Sequence, residues 1–355
     1  MNVVIFIDHY PHVNFFKNAI QEITAKGIDI ILIVQPRGNL TKLVEYELKL
    51  PYISIGHHQP SIIKKALNLL GNEINIFKYL VRNDCDVMTG VGSIELTHSA
   101  FVLRKPSIIF GDDIEYRLAY YLLKYFATNI VLPSCVPAKG RNIFKYKGFK
   151  ELAYLHPNHF TPKEDVLREY NLKSNNYVFI REVSSSSVNY RGLKEGSLAS
   201  LCPEIIKMGL DIVLSLENTQ LKNLFEKYCI ILKEPVSDIH SLMSYAAFTI
   251  TSGDSIARES CLLGTPAIYT GGRRMSINVE LQKKGCLFQC KPNREQILSK
   301  ITLILGNNLK DRTKQVIDGA IRYEWEDTTQ VIVNCLLAAI YKDNSLSEKY
   351  RIVKQ

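Results

Sequence analysis

The sequence lacks the usual signatures of metal-bound and disulfide-stabilised proteins. Its eight cysteines are scattered over 355 residues without a Cys-x-x-Cys pair, and no histidines cluster at ligand spacing. We therefore expect reduced, mostly buried thiols and no metal site. Low-complexity tracts are absent from the sequence apart from Ser184–Ser187, which we interpret as a loop. The hydrophobic content of 46% indicates a globular protein, and a length of 355 residues predicts about two domains.

Long apolar runs are also missing. The first run, residues 2–7, ends at Asp8; it is too short for a signal peptide and predicts a β-strand. The longest later run, Val331–Tyr341, contains Asn334 and is well below the ~20 residues that span a bilayer. We expect a cytoplasmic protein, and a peripheral contact with the inner face of the membrane stays open.

Acidic residues are in the minority, with 35 Asp and Glu against 44 Lys and Arg, which gives a net charge of +9. Between Lys139 and Lys150 there are five basic residues and no acid. Such a stretch could meet a nucleotide, a phosphate-bearing lipid or anionic headgroups, although a solvated basic surface is the alternative. Nucleic acid is not expected as a partner, because no helix-turn-helix, zinc-finger or RRM signature accompanies the charge.

Short β-branched runs alternate with longer amphipathic stretches along most of the chain. This pattern predicts an α/β fold with parallel sheets flanked by helices. In the first half we predict six strands: Val3–Ile7, Ile28–Val34, Tyr52–Ile55, Asp86–Thr89, Ser107–Phe110 and Asn129–Leu132. In the second half we predict six more: Tyr177–Ile180, Asp211–Leu216, Cys229–Leu232, Phe248–Thr251, Ala267–Tyr269 and Leu287–Gln289.

These two halves predict two facing Rossmann-like domains with a ligand cleft at the carboxyl ends of their strands. We place the N-terminal, acceptor-side domain at residues 1–150 and the C-terminal, donor-side domain at 151–327, with the linker inside 133–176. Residues 328–355 form a C-terminal helix and tail, and such a helix often packs back on a neighbouring domain. The loops after the strands are where the chemistry is expected.

Residues 251–268 form the most informative segment. A buried strand ends at Thr251, the small residues Ser252 and Gly253 make a turn, and a helix begins with Asp254 or Ser255 as N-cap. A helix N-terminus of this kind offers backbone N–H groups and a positive dipole end to a phosphate. Glu259 follows in the second turn, where its carboxylate could accept hydrogen bonds from a ribose diol. A capped helix with a solvated Glu259 is the alternative.

The order Gly253, Glu259 and Gly264-Thr265-Pro266-Ala267 resembles the donor-nucleotide motif of GT-B-fold enzymes. These enzymes include the N-acetylglucosaminyltransferase of peptidoglycan synthesis and the non-hydrolysing UDP-N-acetylglucosamine 2-epimerases. The resemblance implies that Glu259 binds the ribose of UDP and that the turn Ser252-Gly253-Asp254-Ser255 binds the diphosphate. It also implies that Asn278 lies on the next donor-side helix, and the preceding loop with Gly272 and Arg273 could reach phosphate.

A resemblance over nearly the whole chain is to a prokaryotic family of unknown function that is related to those epimerases and glycosyltransferases. It rests on six features: Asp8 with Pro11-His12-Val13, Gly92-Ser93, the Asp-Asp-x-Glu run at 112–115, the run Tyr146–His156, the strand Tyr177–Arg181, and Arg258-Glu259. The resemblance implies the GT-B-like fold and leaves the reaction open.

Two groups of residues are candidates for proton transfer. His12 follows the first strand, and a histidine there has a suitable pKa to deprotonate a sugar hydroxyl, although a cap or a packing residue is the alternative. Asp112, Asp113 and Glu115 follow the fifth strand, where mutual repulsion would raise one pKa; helix N-terminal acids are the alternative. Their position resembles that of the acids that shuttle protons in the 2-epimerases.

Arg181 ends the first strand of the second half and could bind a diphosphate with two nitrogens, or pair with Glu182 or another acid. The residues that follow it, up to Arg191, lack the His-Arg segment of the 2-epimerases, and this departure counts against epimerase chemistry. The aromatic helix at 116–126 also carries Arg117 and Lys124, and we expect core packing there, with membrane contact as the alternative.

Together these features predict an enzyme that transfers a sugar from a nucleotide-diphosphate sugar, with UDP as the expected nucleotide, to an acceptor in surface polysaccharide or glycolipid synthesis. No cofactor or metal is required, because helix dipoles and arginine can neutralise the diphosphate. The alternatives are an epimerase or hydrolase that acts on a nucleotide sugar without an acceptor, and a non-catalytic nucleotide-sugar-binding protein.

Overall fold

The computed structural model describes residues 1–56, 62–183, 195–233, 236, 238–343 and 349, without the side chains of 62–70. The chain divides into two compact α/β units, each built on a fully parallel sheet. Unit 1 comprises Met1–His159 and Trp325–Gln355, and unit 2 comprises Phe160–Glu324. The predicted α/β class with two Rossmann-like domains is therefore confirmed. Unit 1 extends nine residues beyond the predicted boundary at 150 and takes up the C-terminal segment, because that segment bonds to it.

The sheet of unit 1 has seven strands in the order β3-β2-β1-β4-β5-β6-β7. Their bounds are β1 Asn2–Ile7, β2 Asp29–Val34, β3 Tyr52–Ser54, β4 Val87–Val91, β5 Ser107–Phe110, β6 Asn129–Pro133 and β7 Ile143–Tyr146. The helices of its first segment are α1 Tyr10–Ala25, α2 Leu40–Leu48, α3 Ile62–Arg82, α4 Ile94–Val102, α5 Arg117–Phe126 and α6 Leu152–Leu155. All six predicted strands are present.

The stretch 133–176, which was predicted to hold the linker, also contains a seventh strand, β7, that was not predicted. β7 pairs in parallel with β6, and its Ile143 and Tyr146 are buried. The strand was missed because it is only four residues long and lies among basic residues, so its hydrophobic alternation is weak.

The sheet of unit 2 has six strands in the order β10-β9-β8-β11-β12-β13. Their bounds are β8 Tyr177–Glu182, β9 Asp211–Leu216, β10 Ile230–Ile231, β11 Phe248–Thr251, β12 Ala267–Tyr269 and β13 Leu287–Gln289. The helices are α7 Asp165–Glu169, α8 Cys202–Lys207, α9 Lys222–Phe225, α10 Ile239–Tyr245, α11 Asp254–Leu262, α12 Ser276–Lys283, α13 Arg294–Gly306 and α14 Leu309–Tyr323. Here all six strands occur where they were predicted.

The last helix, α15 Thr328–Tyr341, belongs to unit 1. Its first turn is capped by the side chain of Asp327, which accepts a hydrogen bond from the Thr329 backbone N–H. The hydroxyl of Thr328 donates to the carbonyl of Phe149, and that of Thr329 donates to the carbonyl of Ala153. These buried bonds hold the C-terminal segment to unit 1. In the part of the chain that the structure describes, no helix is long and apolar enough to cross a bilayer.

In both sheets the strand order reverses its direction at the centre. In unit 1 the chain proceeds outward from β1 to β3 and then restarts at β4, which pairs with β1; in unit 2, β8 and β11 are related in the same way. Ligands of open parallel sheets bind beyond the carboxyl ends of strands at such switch points. The loops after β1, β4, β8 and β11 are therefore the positions to examine for a site.

Candidate functional site

The turn after β11 lies at the switch point of unit 2. Its backbone is fixed by the Thr251 hydroxyl oxygen, which accepts a hydrogen bond of 2.9 Å from the Gly253 N–H. The N-cap residue of α11 is Gly253, in an extended conformation, and not Asp254 or Ser255 as predicted, because the helix already begins at Asp254. A Cβ at Gly253 would come within 3.1 Å of Val183 Cγ1. Because glycine has no side chain, the N-cap residue cannot supply an oxygen to the N–H groups of the first turn. The helix start keeps a backbone suited to an anion.

A buried cluster around Arg258 anchors this helix start. The Arg258 side chain is only 1% exposed, and its Nη1 donates to Asp254 Oδ2 and to Asn278 Oδ1, each at 3.2 Å. Arg273 Nη1 donates to the same Asp254 Oδ2 at 3.1 Å. Asp254 therefore joins two guanidinium groups, and the cluster ties the first turn of α11 to α12 and to the loop before it.

The loop before α12 is held beside the cluster. The Gln289 Nε2 donates to the carbonyls of Gly271 and Arg273, each at 3.1 Å, while Gly272 between them is exposed. On α12, Asn278 is buried, and its Nδ2 has no hydrogen-bond acceptor within the described ranges. An unpaired buried donor costs about 1–3 kcal/mol, so this amide is a candidate contact for a bound molecule.

Glu259 follows Arg258 on α11 and contacts a second helix, α10. Successive residues of a helix point in different directions, and the buried Glu259 carboxylate faces α10, where Oε2 lies 3.6 Å from His240 Nε2. The His240 ring in turn packs edge-on against Phe160 at 5.8 Å between centroids. The sequence does not indicate His240 as a site residue, because its proximity to Glu259 depends on packing between α10 and α11.

Arg181 is the penultimate residue of β8, one residue before the strand ends at Glu182, and it is in register with Thr251 of β11. Its Nη2 lies 2.9 Å from Glu217 Oε1, and its Nη1 donates to the hydroxyl of Ser215 on β9. These contacts direct the guanidinium group toward β9 and the residue that follows it. Residues 184–191, on which the comparison with the epimerase segment depends, lie outside the described residues.

In unit 1, several titratable side chains lie beyond the carboxyl ends of the central strands β1 and β4. Asp8 Oδ1 lies 2.8 Å from His12 Nδ1, four residues on. Burial acts to raise the pKa of Asp8, but the charge and hydrogen bonding of His12 outweigh it and hold that pKa below its usual value. Burial, with the nearby charges of His12 and Arg37, lowers the pKa of His9 to about 4. His9 is therefore neutral at pH 7.

Glu95 lies in the first turn of α4, directly after β4 and the bend at Gly92. Burial raises the pKa of Glu95 to about 7, and the charges of Asp8 and Glu73 act in the same direction. A carboxyl group with this pKa can give or take a proton near neutral pH. Gly92-Ser93 was recognised in the sequence but Glu95 was not, because the charge of Asp8 acts on Glu95 only once β1 and β4 are paired.

The three predicted acids after β5 have different surroundings. Asp112 Oδ2 forms an ion pair of 2.9 Å with Lys150 Nζ, and both side chains are largely buried. Asp113 Oδ1 accepts a hydrogen bond from the backbone N–H of Glu115, whose side chain is exposed. The structure thus gives Asp112 a cation that the prediction did not include and leaves Glu115 at the surface. Within the described ranges, no three His, Cys, Asp or Glu side chains converge on a potential metal position.

The basic stretch Lys139–Lys150 is divided between inward-facing and exposed side chains, so only part of it can form the anion-binding or solvated surface that was considered. Lys150 pairs with Asp112, and Lys145 donates to the carbonyl of Val136, so both lie inward. Burial lowers the pKa of Lys145 to about 8. Lys139 and Arg141 remain exposed.

A small cavity of about 140 Å³ lies at the opposite, amino-terminal edge of unit 2 and is lined by Asn175, Asn308, Lys310 and Asp311 among others. Pockets for drug-sized ligands usually measure ~300–1,000 Å³. The cavity is therefore too small for a nucleotide, and the turn after β11 remains the candidate site of unit 2.

Solved structures with this architecture include nucleotide-sugar enzymes. S. aureus MnaA in its co-structure with UDP has a TM-score of 0.73 at 13% identity, covering 96% of this chain and 97% of that one. The Methanocaldococcus jannaschii UDP-GlcNAc 2-epimerase in complex with UDP-GlcNAc and UDP gives 0.67 at 16%, covering 95% and 99%. The glycosyltransferase VinC in complex with dTDP gives 0.66 at 10%, covering 96% and 99%. The two units therefore form a GT-B-like chain, as predicted.

Sequence comparison agrees with the predicted membership of a family without an assigned reaction. An uncharacterised protein of M. jannaschii is 24% identical over 284 residues, which cover 76% of this chain and 82% of that protein. The model of the family described as "protein of unknown function (DUF354)" matches residues 1–340. The chain belongs to this family.

Proposed function

We propose that the protein binds a nucleotide-diphosphate sugar, with UDP as its nucleotide, and transfers the sugar to an acceptor in the synthesis of a surface polysaccharide or glycolipid. The observation that carries the proposal is the start of α11, where Gly253 leaves the first turn uncapped by its own side chain and the buried Arg258 holds that turn in place. Structural neighbours with UDP or dTDP support the nucleotide class.

In this proposal the Arg258 cluster builds the phosphate site without contacting phosphate. Arg258 uses its nitrogens on Asp254, Asn278 and Ser255, so its task is to keep the turn rigid. In the turn Ser252–Ser255 the Gly253 N–H already donates to Thr251, so the diphosphate is bound by the other N–H groups of the turn, the positive helix end and the neighbouring loop with Gly272 and Arg273. A preorganised site costs less ordering free energy on binding.

Glu259 is assigned to the ribose, with its carboxylate accepting the diol hydrogens. His240, at 3.6 Å, is placed to orient that carboxylate. Asn278 Nδ2, as a buried donor, is assigned to an oxygen of the donor molecule. Arg181 remains a candidate for the diphosphate from the other side of the switch point.

Proton handling is assigned to unit 1. The contact of Asp8 with His12 Nδ1 orients the imidazole and leaves Nε2 as the nitrogen that can accept a proton from an acceptor hydroxyl. Asp112, Asp113 and Glu115 are kept as further candidates, and Asp112 is modified by its pairing with Lys150. No metal ion or other cofactor is part of the proposal.

The nucleotide assignment is tested by calorimetric titration of UDP into wild type and Glu259→Gln. Removal of a carboxylate that accepts ribose hydrogen bonds should weaken binding by about 1–3 kcal/mol, roughly 5- to 150-fold. The exposed Glu226→Gln in the same unit is the matched control and should bind UDP as wild type does. Equal affinities for wild type and Glu259→Gln would remove Glu259 from the site.

A second candidate function is epimerisation, and the near-neutral pKa of Glu95 beside Asp8 favours it, because an epimerase needs an acid that moves protons at the sugar. The test is incubation with UDP-GlcNAc in D₂O without acceptor. Transfer chemistry leaves C2 unlabelled, whereas deuterium at C2 would favour the epimerase. Tight binding with neither exchange nor transfer to any acceptor would leave a non-catalytic nucleotide-sugar-binding protein.

A further inference from the structure

Helix α5 of unit 1 has an unusual distribution of side chains. Leu123 is its buried residue, and the side of the helix opposite Leu123 carries Leu118, Tyr121 and Tyr125 at helical spacing. These three are 76%, 51% and 77% exposed. A surface helix normally presents polar groups to water on this side. The outer side of α5 is therefore apolar and aromatic where solvent exposure predicts charge, and the core packing that was expected for this helix is wrong for Tyr121 and Tyr125.

The end of α4 extends this apolar surface. Phe101 and Val102 are 55% and 63% exposed, and the Phe101 ring packs edge-on against Phe126 of α5, with the centroids 5.1 Å apart. We call Phe101, Val102, Leu118, Tyr121 and Tyr125 the α4–α5 patch. Single exposed apolar residues are ordinary, but five of them on two helices that pack together indicate a binding surface.

Cations surround the α4–α5 patch. Arg117 and Lys124 lie on one flank of α5, which contains no acid, and Arg104 is exposed just after α4. The exposed Lys139 and Arg141 come from the loop beside α5, because Asn142 from that loop donates to the carbonyls of Lys124 and Ala127. Glu115 is an exposed acid before the helix.

We propose that the α4–α5 patch docks on the surface of an anionic lipid bilayer, with Leu118, Tyr121 and Tyr125 in the interface and the surrounding Lys and Arg on the lipid phosphates. Tyrosine suits this position because its ring is apolar and its hydroxyl stays hydrated. An amphipathic helix with aromatic and Leu side chains beside basic residues is the usual interfacial element. The proposal is independent of the proposed function, since vesicle binding is measured without a nucleotide.

A bilayer fits the patch better than a second copy of the chain. A two-fold contact places the same surface on both partners, so the arginines and lysines around one patch would meet those around the other. Like charges brought together in this way oppose association. An anionic surface has the complementary charge and satisfies the apolar and the basic parts together.

The experiment is co-sedimentation of the full chain with vesicles of phosphatidylcholine, with and without phosphatidylglycerol. We expect binding to the anionic vesicles, weakened by salt, and much less to the neutral ones. The variant Leu118→Ser/Tyr121→Ser/Tyr125→Ser should bind the anionic vesicles at least tenfold more weakly. Arg117→Glu and Arg141→Glu should each weaken binding about fivefold or more.

The control variants are Tyr46→Ser and Tyr323→Ser, whose tyrosines are 74% and 80% exposed outside the patch, and they should bind as wild type does. All substituted side chains are exposed, so unchanged thermal melting verifies folding. Equal sedimentation of wild type and the triple variant would overturn the proposal. So would a wild-type dimer that the triple variant converts to a monomer in the absence of vesicle binding, because the patch would then join copies of the chain.

Discussion

The two carboxyl-terminal sheet edges follow the same topology but carry charge in opposite ways. Beyond β11 in unit 2, Asp254 is shared by Arg258 and Arg273, and the ions around the turn are paired and buried. Beyond β1 and β4 in unit 1, burial lowers the pKa of His9 and raises that of Glu95, so that both side chains favour their neutral forms. The first arrangement keeps its charges fixed in ion pairs, whereas the second contains a carboxyl group, that of Glu95, which can give or take a proton near neutral pH.

The difference arises from a few residues in equivalent loops. In unit 2 the helix that follows the switch-point strand has an acid in its first turn and an arginine four residues later, so the acid is neutralised at once. In unit 1 the corresponding helix α4 has Glu95 in its first turn and Ser99 four residues later. Helix α4 has no Lys or Arg, and its His98 contacts Glu73, so burial raises the pKa of Glu95 and the carboxyl group keeps its proton.

The largest expected effect is a loss of turnover when the proposed base in unit 1 is removed. His12→Ala should lower sugar transfer by about 10²–10⁴-fold and leave UDP affinity near the wild-type value, because a general base acts in the transition state. The measurement is UDP release from UDP-sugars supplied with candidate saccharide and lipid acceptors. His98→Gln, which alters another His–Glu pair of unit 1, is the control and should keep its turnover. A matching loss in UDP affinity would contradict the division between the two edges.

The next effect is a loss of stability when the ion pairs of the Arg258 cluster in unit 2 are removed. Arg258→Ala leaves Asp254 with one of its two guanidinium partners in a buried setting and should lower the free energy of unfolding by about 3 kcal/mol. Urea titration followed by circular dichroism measures it. Arg294→Ala removes a half-exposed partner of Glu204 and should change stability by at most about 0.5 kcal/mol. Similar values for the two variants would show that the cluster is not a structural anchor.

The pH dependence of stability tests the protonation of Glu95 in unit 1. Native Glu95 keeps its proton up to about pH 7, whereas the unfolded chain loses it near the ordinary value of 4.5, so the native state binds more protons between these pH values. Stability from this group is thus lost as pH rises through that window. Relative to wild type, Glu95→Gln should gain about 1–3 kcal/mol in unfolding free energy between pH 5 and pH 8, with partial solvent exposure lowering the figure. Parallel curves for the two proteins would contradict the assignment.

The smallest effect concerns Arg181. Because its guanidinium already pairs with Glu217, Arg181→Ala should weaken UDP binding by only about threefold, the size of a shared surface ion pair. Uridine, which has no phosphate, should bind equally well to both proteins. Identical losses for UDP and uridine would remove Arg181 from the phosphate side of the site.

The sequence predicted those parts of the fold that are encoded locally. The run Phe248–Thr251 is β-branched and buried, and the small turn and Gly253 follow it directly, so strand, turn and helix start could be predicted from neighbours in the chain. β7 could not, because its four residues pair with β6 and gain their burial from that pairing. Its neighbouring lysines hid the pattern.

The candidate site was predictable to a lesser degree for the same physical reason. Gly253 and Glu259 belong to a local motif, whereas Arg258 meets Asn278 across 20 residues and Glu95 senses Asp8 only through the pairing of β1 with β4. Lys150 reads as a surface cation in a basic stretch, yet the structure buries it against Asp112. Contacts of this kind depend on tertiary packing, which charge spacing along the chain does not contain.

The central claim is that the start of α11 binds the diphosphate of a nucleotide sugar, and amide hydrogen exchange tests it at the residues concerned. On addition of UDP, we expect exchange to slow at the backbone amides of residues 252–257 and around Asn278, because N–H groups bonded to phosphate and a more rigid cluster exchange less. Uridine should protect the 252–257 amides much less. If UDP binds with its protection confined elsewhere, such as around the cavity beside Lys310, the claim is contradicted.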